Sequence, residues 1–164
     1  MKITSFEKIS PFDWNSCCSN SSQAWLYHRA EWILLETNYF VHFNHSFAVL
    51  DNTKVIAIQP LYFSESGIGT WVERLIHSGI HRHTGLAVID DLDKNKVKAV
   101  RRAVMKKIFE IANNSNADRI QLNVQNLTPE SLSIKRQEIP FWMDGYGFFL
   151  GYSSAPLVLC LLLV

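Results

Sequence analysis

The order in which helix and strand patterns follow one another constrains the fold of this 164-residue chain more than any single motif does. The patterns predict an N-terminal helix, a β-hairpin, a third strand, a loop rich in glycine and histidine, a long amphipathic helix, an alternating strand, a short helix and two closing strands. Strands and helices that alternate in this way build one mixed unit. The sequence therefore predicts an α+β fold, with a mixed sheet and flanking helices.

Four segments carry strand patterns. Residues 45–50 and 55–63 are β-branched or aromatic runs joined by a polar turn, which is typical of a hairpin. Pro60 lies inside the second run and cannot donate a hydrogen bond to a neighbouring strand, so we expect a bulge or local opening there. Residues 70–77 predict a third strand. Residues 119–124 alternate polar and apolar side chains, which predicts a half-buried strand.

An early helix is expected to run from a cap at Ser21 or Ser22 to about Asn38. Its aromatic and apolar residues repeat at helical spacing and should form one largely buried side. The residues expected on that side are Trp25, His28, Trp32, Leu35 and Tyr39.

A second helix is expected over residues 92–113, where aliphatic residues recur at helical spacing and aspartates precede the first turn. This helix links the predicted strands at 70–77 and 119–124. A helix that connects two strands of one sheet normally makes a right-handed crossover between parallel strands. We therefore expect these two strands to be parallel.

Composition limits the class of protein. Hydrophobic residues make up 48% of the chain, enough for one domain with a real core. Charged residues make up 19%, below the usual quarter, so either much of the chain is buried or some apolar surface awaits a partner. A net charge of +1 gives no general argument for nucleic acid or acidic membranes. The three cysteines are Cys17, Cys18 and Cys160, and the adjacent pair could hardly bridge without strain, so they imply no disulfide framework, which favours a reducing, cytoplasmic setting.

The two ends of the chain carry no membrane signal. Residues 1–10 lack the basic and apolar pattern of a signal peptide. Residues 156–164 are strongly apolar but far short of the roughly 20 residues that span a bilayer, so no integral membrane segment is expected. The apolar end is either the last strand of the sheet or an edge that pairs with a following domain or a second subunit.

Three segments carry a family resemblance: WLYHRAEW at residues 25–32, IQPLY at 58–62 and GLAVIDD at 85–91. Together with the element order, they resemble the GNAT acyltransferase fold and, within it, the N-terminal domain of Fem-type transferases, which build peptidoglycan cross-bridges. The resemblance implies a GNAT-like fold over residues 1–164, with a mostly antiparallel central sheet and one parallel crossover. Fem-type proteins carry two such domains, so this chain is either a single domain or one half of such an architecture.

The resemblance also implies a function. The expected enzyme is an N-acyltransferase or aminoacyltransferase that moves an acyl group from acyl-CoA or aminoacyl-tRNA to an amine acceptor in cell-envelope biosynthesis. Transfer is direct, in a ternary complex. Acyl-CoA is then a co-substrate, with no tightly bound cofactor. One alternative is a non-catalytic domain that pairs with a partner domain, or with itself as a homodimer, through the apolar C-terminal strand. A metal-dependent hydrolase is another.

The loop before the second helix matches the pyrophosphate-binding pattern that the resemblance implies. Its residues Arg82, Gly85 and Ala87 are predicted to hold CoA phosphates on backbone N–H groups. Asp90 and Asp91 follow before the helix and would repel a pyrophosphate. The alternative is a plain connection that contains a glycine.

The same loop holds the densest group of titratable side chains, His77, His81 and His83. A histidine can remove a proton from an amine near neutral pH, so His81, in mid-loop, and His77 are the predicted catalytic residues. One alternative is a three-histidine metal site, although no nearby cysteine and no His-x-x-x-His helix supports it. The others are a Ser78 nucleophile and surface histidines without chemistry. The residues predicted to contact substrate are Tyr62, Trp71, Ser78 and His83, although aromatic residues on strands commonly belong to the core.

Overall fold

The computed structural model describes residues 1–40, 42–68, 71–79, 84–123, 148–151 and 158–162. The described helices are α1 (Pro11–Ser19), α2 (Ala30–Tyr39) and α3 (Lys94–Asn114), with short 3₁₀ turns at Phe6–Lys8 and Leu26–His28. The described strands are β1 (Lys2–Ser5), β2 (Phe43–Asn44), β3 (Phe47–Asp51), β4 (Lys54–Gln59), β5 (Tyr62–Ile68), β6 (Trp71–His77), β7 (Ala87–Val88), β8 (Arg119–Asn123), β9 (Phe148–Gly151) and β10 (Val158–Leu162).

These strands form two sheets. One has the order β1-β3-β4-β7 and the other has the order β2-β5-β6-β8-β10-β9. Strands β6 and β8 run parallel, and the remaining described pairs are antiparallel. Helix α3 lies between β6 and β8 in the chain, which confirms the parallel crossover. The mixed α+β fold class is confirmed as well.

The predicted opening at Pro60 is confirmed, and it divides the fold. Strand β4 ends at Gln59 in the first sheet, and β5 begins at Tyr62 in the second. The Ser46 hydroxyl accepts the Leu61 N–H at 3.0 Å and donates to the Leu61 carbonyl at 3.3 Å. The Gln59 side chain donates to the Pro60 carbonyl at 2.8 Å. Side chains therefore satisfy backbone groups that the interrupted strand leaves unpaired.

The second predicted helix is confirmed, since α3 begins two residues after the predicted start. Asp93 caps it by accepting the Lys96 N–H at 2.9 Å. Its buried residues recur at helical spacing and pack into the core. They are Val100, Val104, Ile108, Ile111 and Ala112.

The predicted start of the first helix was wrong, because α2 begins only at Ala30. The Ser22 backbone N–H and hydroxyl both donate to the Asp90 carboxylate, at 3.0 and 2.9 Å, so Ser22 binds a distant loop. The predicted buried side was also largely wrong. His28 is buried, but Trp25 and Tyr39 are 62% and 75% exposed. The residues that α2 buries are Ala30, Ile33 and Glu36.

Two N-terminal elements, β1 and α1, were not anticipated. Strand β1 pairs with β3. Ser10 caps α1 by accepting the Asp13 N–H at 3.0 Å, and α1 packs on β4 and buries Trp14 in the core.

At the other end, β10 lies between β8 and β9, which confirms the two closing strands. The short helix expected before them lies outside the described residues. In the described part of the chain, no helix has the length and apolar character needed to cross a bilayer.

Candidate functional site

The two sheets separate just after β6. Strands β6 and β8 pair from Leu75 with Arg119 to His77 with Gln121, and the Ser78 N–H still donates to the Gln121 carbonyl at 3.2 Å. The chain then leaves β8, and β7 pairs with β4 instead. Strands β7 and β8 therefore lie in different sheets and do not pair with each other.

One backbone donor of β7 faces away from its sheet partner. The Ile89 N–H donates to the Ile56 carbonyl at 3.1 Å, and N–H groups alternate direction along a strand. The Val88 N–H therefore points away from β4. It donates to Gln23 Oε1 at 3.3 Å. The Val88 N–H, which the sheet does not use, is thus bonded to the side chain of Gln23, and a side chain can move away.

The predicted phosphate loop is only partly described. The Gly85 carbonyl accepts a hydrogen bond from His28 Nε2 at 3.0 Å, and Ala87 is fully buried opposite Ile58. Asp93 already caps the α3 N-terminus, and Arg82 lies outside the described residues. Phosphate binding by Arg82, Gly85 and Ala87 stays a prediction.

A group of buried polar side chains lies at the point where the sheets separate. We call it the polar cluster, and it consists of Glu36, His42, Tyr62, His77 and Thr84. Glu36 projects from the buried side of α2 and is 2% exposed, and its Oε1 accepts the Trp32 indole N–H at 3.1 Å. Tyr62, His77 and Thr84 are also buried, and His42 is half-buried at the edge.

The rings of the cluster are in contact. The centroids of His42 and His77 are 4.8 Å apart with their planes nearly perpendicular, and Tyr62 stacks on His77 at 5.7 Å. Gly79 has φ +99°, and a Cβ there would lie 2.8 Å from Thr84 Oγ1 and 3.4 Å from both Glu36 carboxylate oxygens. Thr84 and Glu36 therefore approach each other around a position that only glycine fits.

Four side-chain atoms of the cluster are buried and find no hydrogen-bond partner in the described part of the chain. They are Glu36 Oε2, His42 Nδ1, Tyr62 Oη and Thr84 Oγ1. Tyr62 Oη lies beside the Glu36 carboxylate, but the pair falls outside hydrogen-bond geometry. Buried polar atoms normally have partners, so a concentration of unsatisfied ones marks a place suited to a polar ligand.

Burial controls the charge of the cluster. It raises the pKa of the Tyr62 phenol above its ordinary value, and the Glu36 charge adds to this effect. Burial, with a smaller contribution from His42, lowers the pKa of His77 to about 4. The Gly79 N–H donates to His77 Nδ1 at 3.2 Å, which places the His77 proton on Nε2. Burial also lowers the pKa of His42, partly opposed by Glu36, so both imidazoles are neutral at pH 7.

The structure brings two predicted site residues, His77 and Tyr62, into the polar cluster, with Ser78 buried beside them. His81, Arg82 and His83 lie outside the described residues. Their loop begins after Gly79 and ends at Thr84, so both of its flanks reach the cluster. The catalytic and substrate-binding roles of all these residues stay predictions.

The backbone of Trp71 lies at the opposite end of β6 from His77, roughly 20 Å away at the rise of an extended strand. The structure therefore does not bring these two positions together.

Sequence reasoning missed Glu36, His42 and Thr84. The sequence offered one sign of the cluster, at Glu36. This residue follows Ala30 by six positions and Ile33 by three, so it lies on the same buried side of α2. A carboxylate on an apolar helix stripe is uncommon unless it has a role. Within the described residues, no three His, Cys, Asp or Glu side chains are arranged to hold a metal ion.

Comparison with known proteins supports the fold. No protein-family model and no curated protein sequence matches this chain. FemX is similar in structure with 17% identity and a TM-score of 0.58 over 94% of this chain, which spans about a third (35%) of FemX. An acetyltransferase from Streptococcus agalactiae has 12% identity and a TM-score of 0.61, over 99% of this chain and 98% of its own.

A third similar structure is the PaiA N-acetyltransferase from Thermoplasma acidophilum in complex with coenzyme A. It has 10% identity and a TM-score of 0.52, and 98% of each chain is covered. At these identities the likeness concerns the fold. The chain therefore has the GNAT acyltransferase fold.

Proposed function

We propose that this protein is an N-acyltransferase that moves an acyl group from acyl-CoA to an amine. The observation that carries the proposal is the Val88 N–H, which has no strand partner at the point where β7 and β8 lie in different sheets and which donates to Gln23 Oε1 instead. A fixed backbone N–H stabilises the negative charge that develops on a carbonyl oxygen under attack. A similar structure holds coenzyme A in the same fold, which supports a CoA thioester as donor.

In the proposed reaction, the thioester carbonyl oxygen displaces Gln23 Oε1 from the Val88 N–H. His42, neutral and half-buried, accepts a proton from the ammonium form of the acceptor. The free amine then attacks the carbonyl carbon and the C–S bond breaks. The CoA thiolate leaves with the second nitrogen proton, and His42 returns the first proton to solvent. No enzyme side chain forms a covalent bond.

The glycine- and histidine-rich loop before α3 is proposed to supply the remaining binding residues. His81 is the alternative base, because its loop starts and ends at the polar cluster. Arg82, Gly85 and Ala87 are proposed to hold the CoA pyrophosphate. Ser78 and His83 are proposed to border the acceptor.

A second candidate donor is aminoacyl-tRNA. The solvent side of α3 carries basic residues that make no ion pair with any described residue, and such a surface attracts a polyanion. They are Lys94, Lys98, Arg102 and Lys106. FemX, of which this chain spans about a third, is a similar structure, and a cell-envelope role with a second domain belongs to this candidate.

Donor binding tests the proposal. Calorimetric titrations with acetyl-CoA, free CoA and aminoacyl-tRNA establish the donor, and thiol release with a panel of amines measures turnover. Gln23→Ala should tighten acetyl-CoA binding, because it frees the Val88 N–H, but leave free CoA unchanged, since free CoA has no thioester carbonyl. Asn95→Ala, an exposed amide on α3, is the matched control. A chain that binds no acyl-CoA overturns the proposal, and binding of aminoacyl-tRNA alone selects the second donor.

A further inference from the structure

The Glu36 carboxylate is buried without a compensating positive charge among the described residues. It is 2% exposed, and no described Lys or Arg forms an ion pair with it. The Trp32 indole donates to Oε1, and Oε2 has no donor among the described residues. A buried carboxylate is costly unless it is paired, so this position calls for a cation.

The neighbouring unsatisfied atoms are also hydrogen-bond acceptors. Tyr62 Oη and Thr84 Oγ1 are buried and without partners in the described part of the chain, and Thr84 Oγ1 and the Glu36 carboxylate border the same position, 2.8 and 3.4 Å from where a Gly79 Cβ would lie. An ammonium group offers three N–H donors and no acceptor. Two hydroxyl oxygens and one carboxylate oxygen match that requirement in both number and charge.

We propose that Glu36 Oε2, Tyr62 Oη and Thr84 Oγ1 form the binding site for the ammonium group of the acceptor. This inference rests on the proposed acyltransfer and assigns its acceptor to the aliphatic primary amines, which are charged at neutral pH. Aromatic amines and alcohols carry no charge there and are rejected. His42 lies at the edge of the same cluster, with its ring centroid 4.8 Å from that of His77, and is proposed to take the proton that the bound ammonium group loses.

Ethylammonium chloride is the probe for this site, because it carries the charge without the rest of an acceptor. Thermal unfolding of the full chain is followed in ethylammonium chloride and in sodium chloride at equal ionic strength. The wild type should show a saturable rise in Tm with ethylammonium alone, since a ligand of the folded state raises Tm. Glu36→Gln should weaken this binding at least about tenfold, and Glu65→Gln, an exposed carboxylate on β5, should leave it unchanged.

Free CoA is titrated in parallel, so that a failed donor site and a failed ammonium site are separable. No ethylammonium-specific shift in the wild type, or equal shifts in Glu36→Gln and wild type, overturns the inference even when CoA binds. If Glu36→Gln does not fold, Tyr62→Phe and Thr84→Val replace it, because each removes one hydroxyl. Each should weaken ethylammonium binding several-fold, and undiminished binding in both also overturns the inference.

Discussion

His28 donates its Nε2 proton to the carbonyl oxygen of Gly85 across 3.0 Å, while its Nδ1 accepts the Trp25 N–H at 3.1 Å. The two bonds fix the tautomer of a fully buried imidazole. They connect the segment before α2 with the segment that enters β7. Since Val88 is three residues beyond Gly85, His28 positions the backbone that carries the proposed carbonyl-binding N–H.

Replacing His28 should therefore affect both stability and donor binding. His28→Gln cannot keep both hydrogen bonds with an amide of different shape, and we expect a loss of about 1–3 kcal/mol in the free energy of unfolding. The Kd for acetyl-CoA should rise as the Gly85 segment loses its anchor. Urea unfolding and calorimetry measure the two effects. The control is His45→Gln, because the His45 ring contacts Phe63 and the substitution leaves the backbone hydrogen bond from the His45 N–H to the Leu61 carbonyl in place. Equal effects in both variants would contradict this role.

Stability should fall in mild acid because two histidines are buried in the neutral form. Burial lowers the pKa of His28 and of His77 to about 4 in the folded protein, against 6.5 when unfolded. Below pH 6.5 the unfolded chain binds protons that the folded chain does not, so stability is lost as pH falls from 6.5 to 4. Over that range each of the two groups lowers the free energy of unfolding by about 3 kcal/mol. Urea midpoints across this pH range measure the loss.

The His28→Gln variant provides the internal check on this pH dependence. Its stability should decline less steeply between pH 6.5 and 4, because one of the buried imidazoles that titrate in this range is gone. A wild-type midpoint that stays constant over this range would show that the two imidazoles are not held neutral.

Tyr62→Phe should not destabilise the ligand-free protein. The Tyr62 hydroxyl is buried without a hydrogen-bond partner in the described part of the chain, and leaving such a group unsatisfied costs about 1–3 kcal/mol. Phenylalanine keeps the ring contact with His77 and removes that cost, so the free energy of unfolding should stay equal or rise. Urea unfolding without ligand measures it. A loss above about 1 kcal/mol would mean that the hydroxyl is already bonded in the free protein.

The elements that were predicted well are those whose own residues determine them. Helix α3 carries a long aliphatic repeat and its own cap at Asp93, and β8 alternates strictly from Arg119. Pro60 interrupts its strand through its own missing N–H. Local chemistry is sufficient in each case, and the structure agrees within two residues.

The start and the buried side of α2 depend on distant residues, and there the prediction failed. Ser22 has a side chain typical of a helix cap. Its backbone N–H and its hydroxyl both donate instead to the carboxylate of Asp90, 68 positions later. The side expected to be buried was chosen for its aromatic residues, whereas the buried side contains Glu36. A pattern that assigns carboxylates to solvent cannot locate a polar cluster whose partners come from β5, β6 and the segment before β7.

Gly79→Ala should be strongly destabilising, and a double-mutant cycle can separate the backbone strain from the clash with Thr84. At φ +99° an alanine is strained in any surroundings, and its Cβ would also lie 2.8 Å from Thr84 Oγ1. We expect Gly79→Ala to lose about 1–3 kcal/mol in the free energy of unfolding.

Thr84→Ala removes the atom that the new Cβ would meet but leaves the backbone strain. The double variant should therefore recover part of the loss, with a coupling of about 0.5–3 kcal/mol between the two positions. Urea unfolding of the four proteins gives the coupling directly. Strict additivity would mean that Thr84 and Gly79 are not in contact, and the approach of Thr84 to Glu36, on which the ammonium site depends, would fall with it.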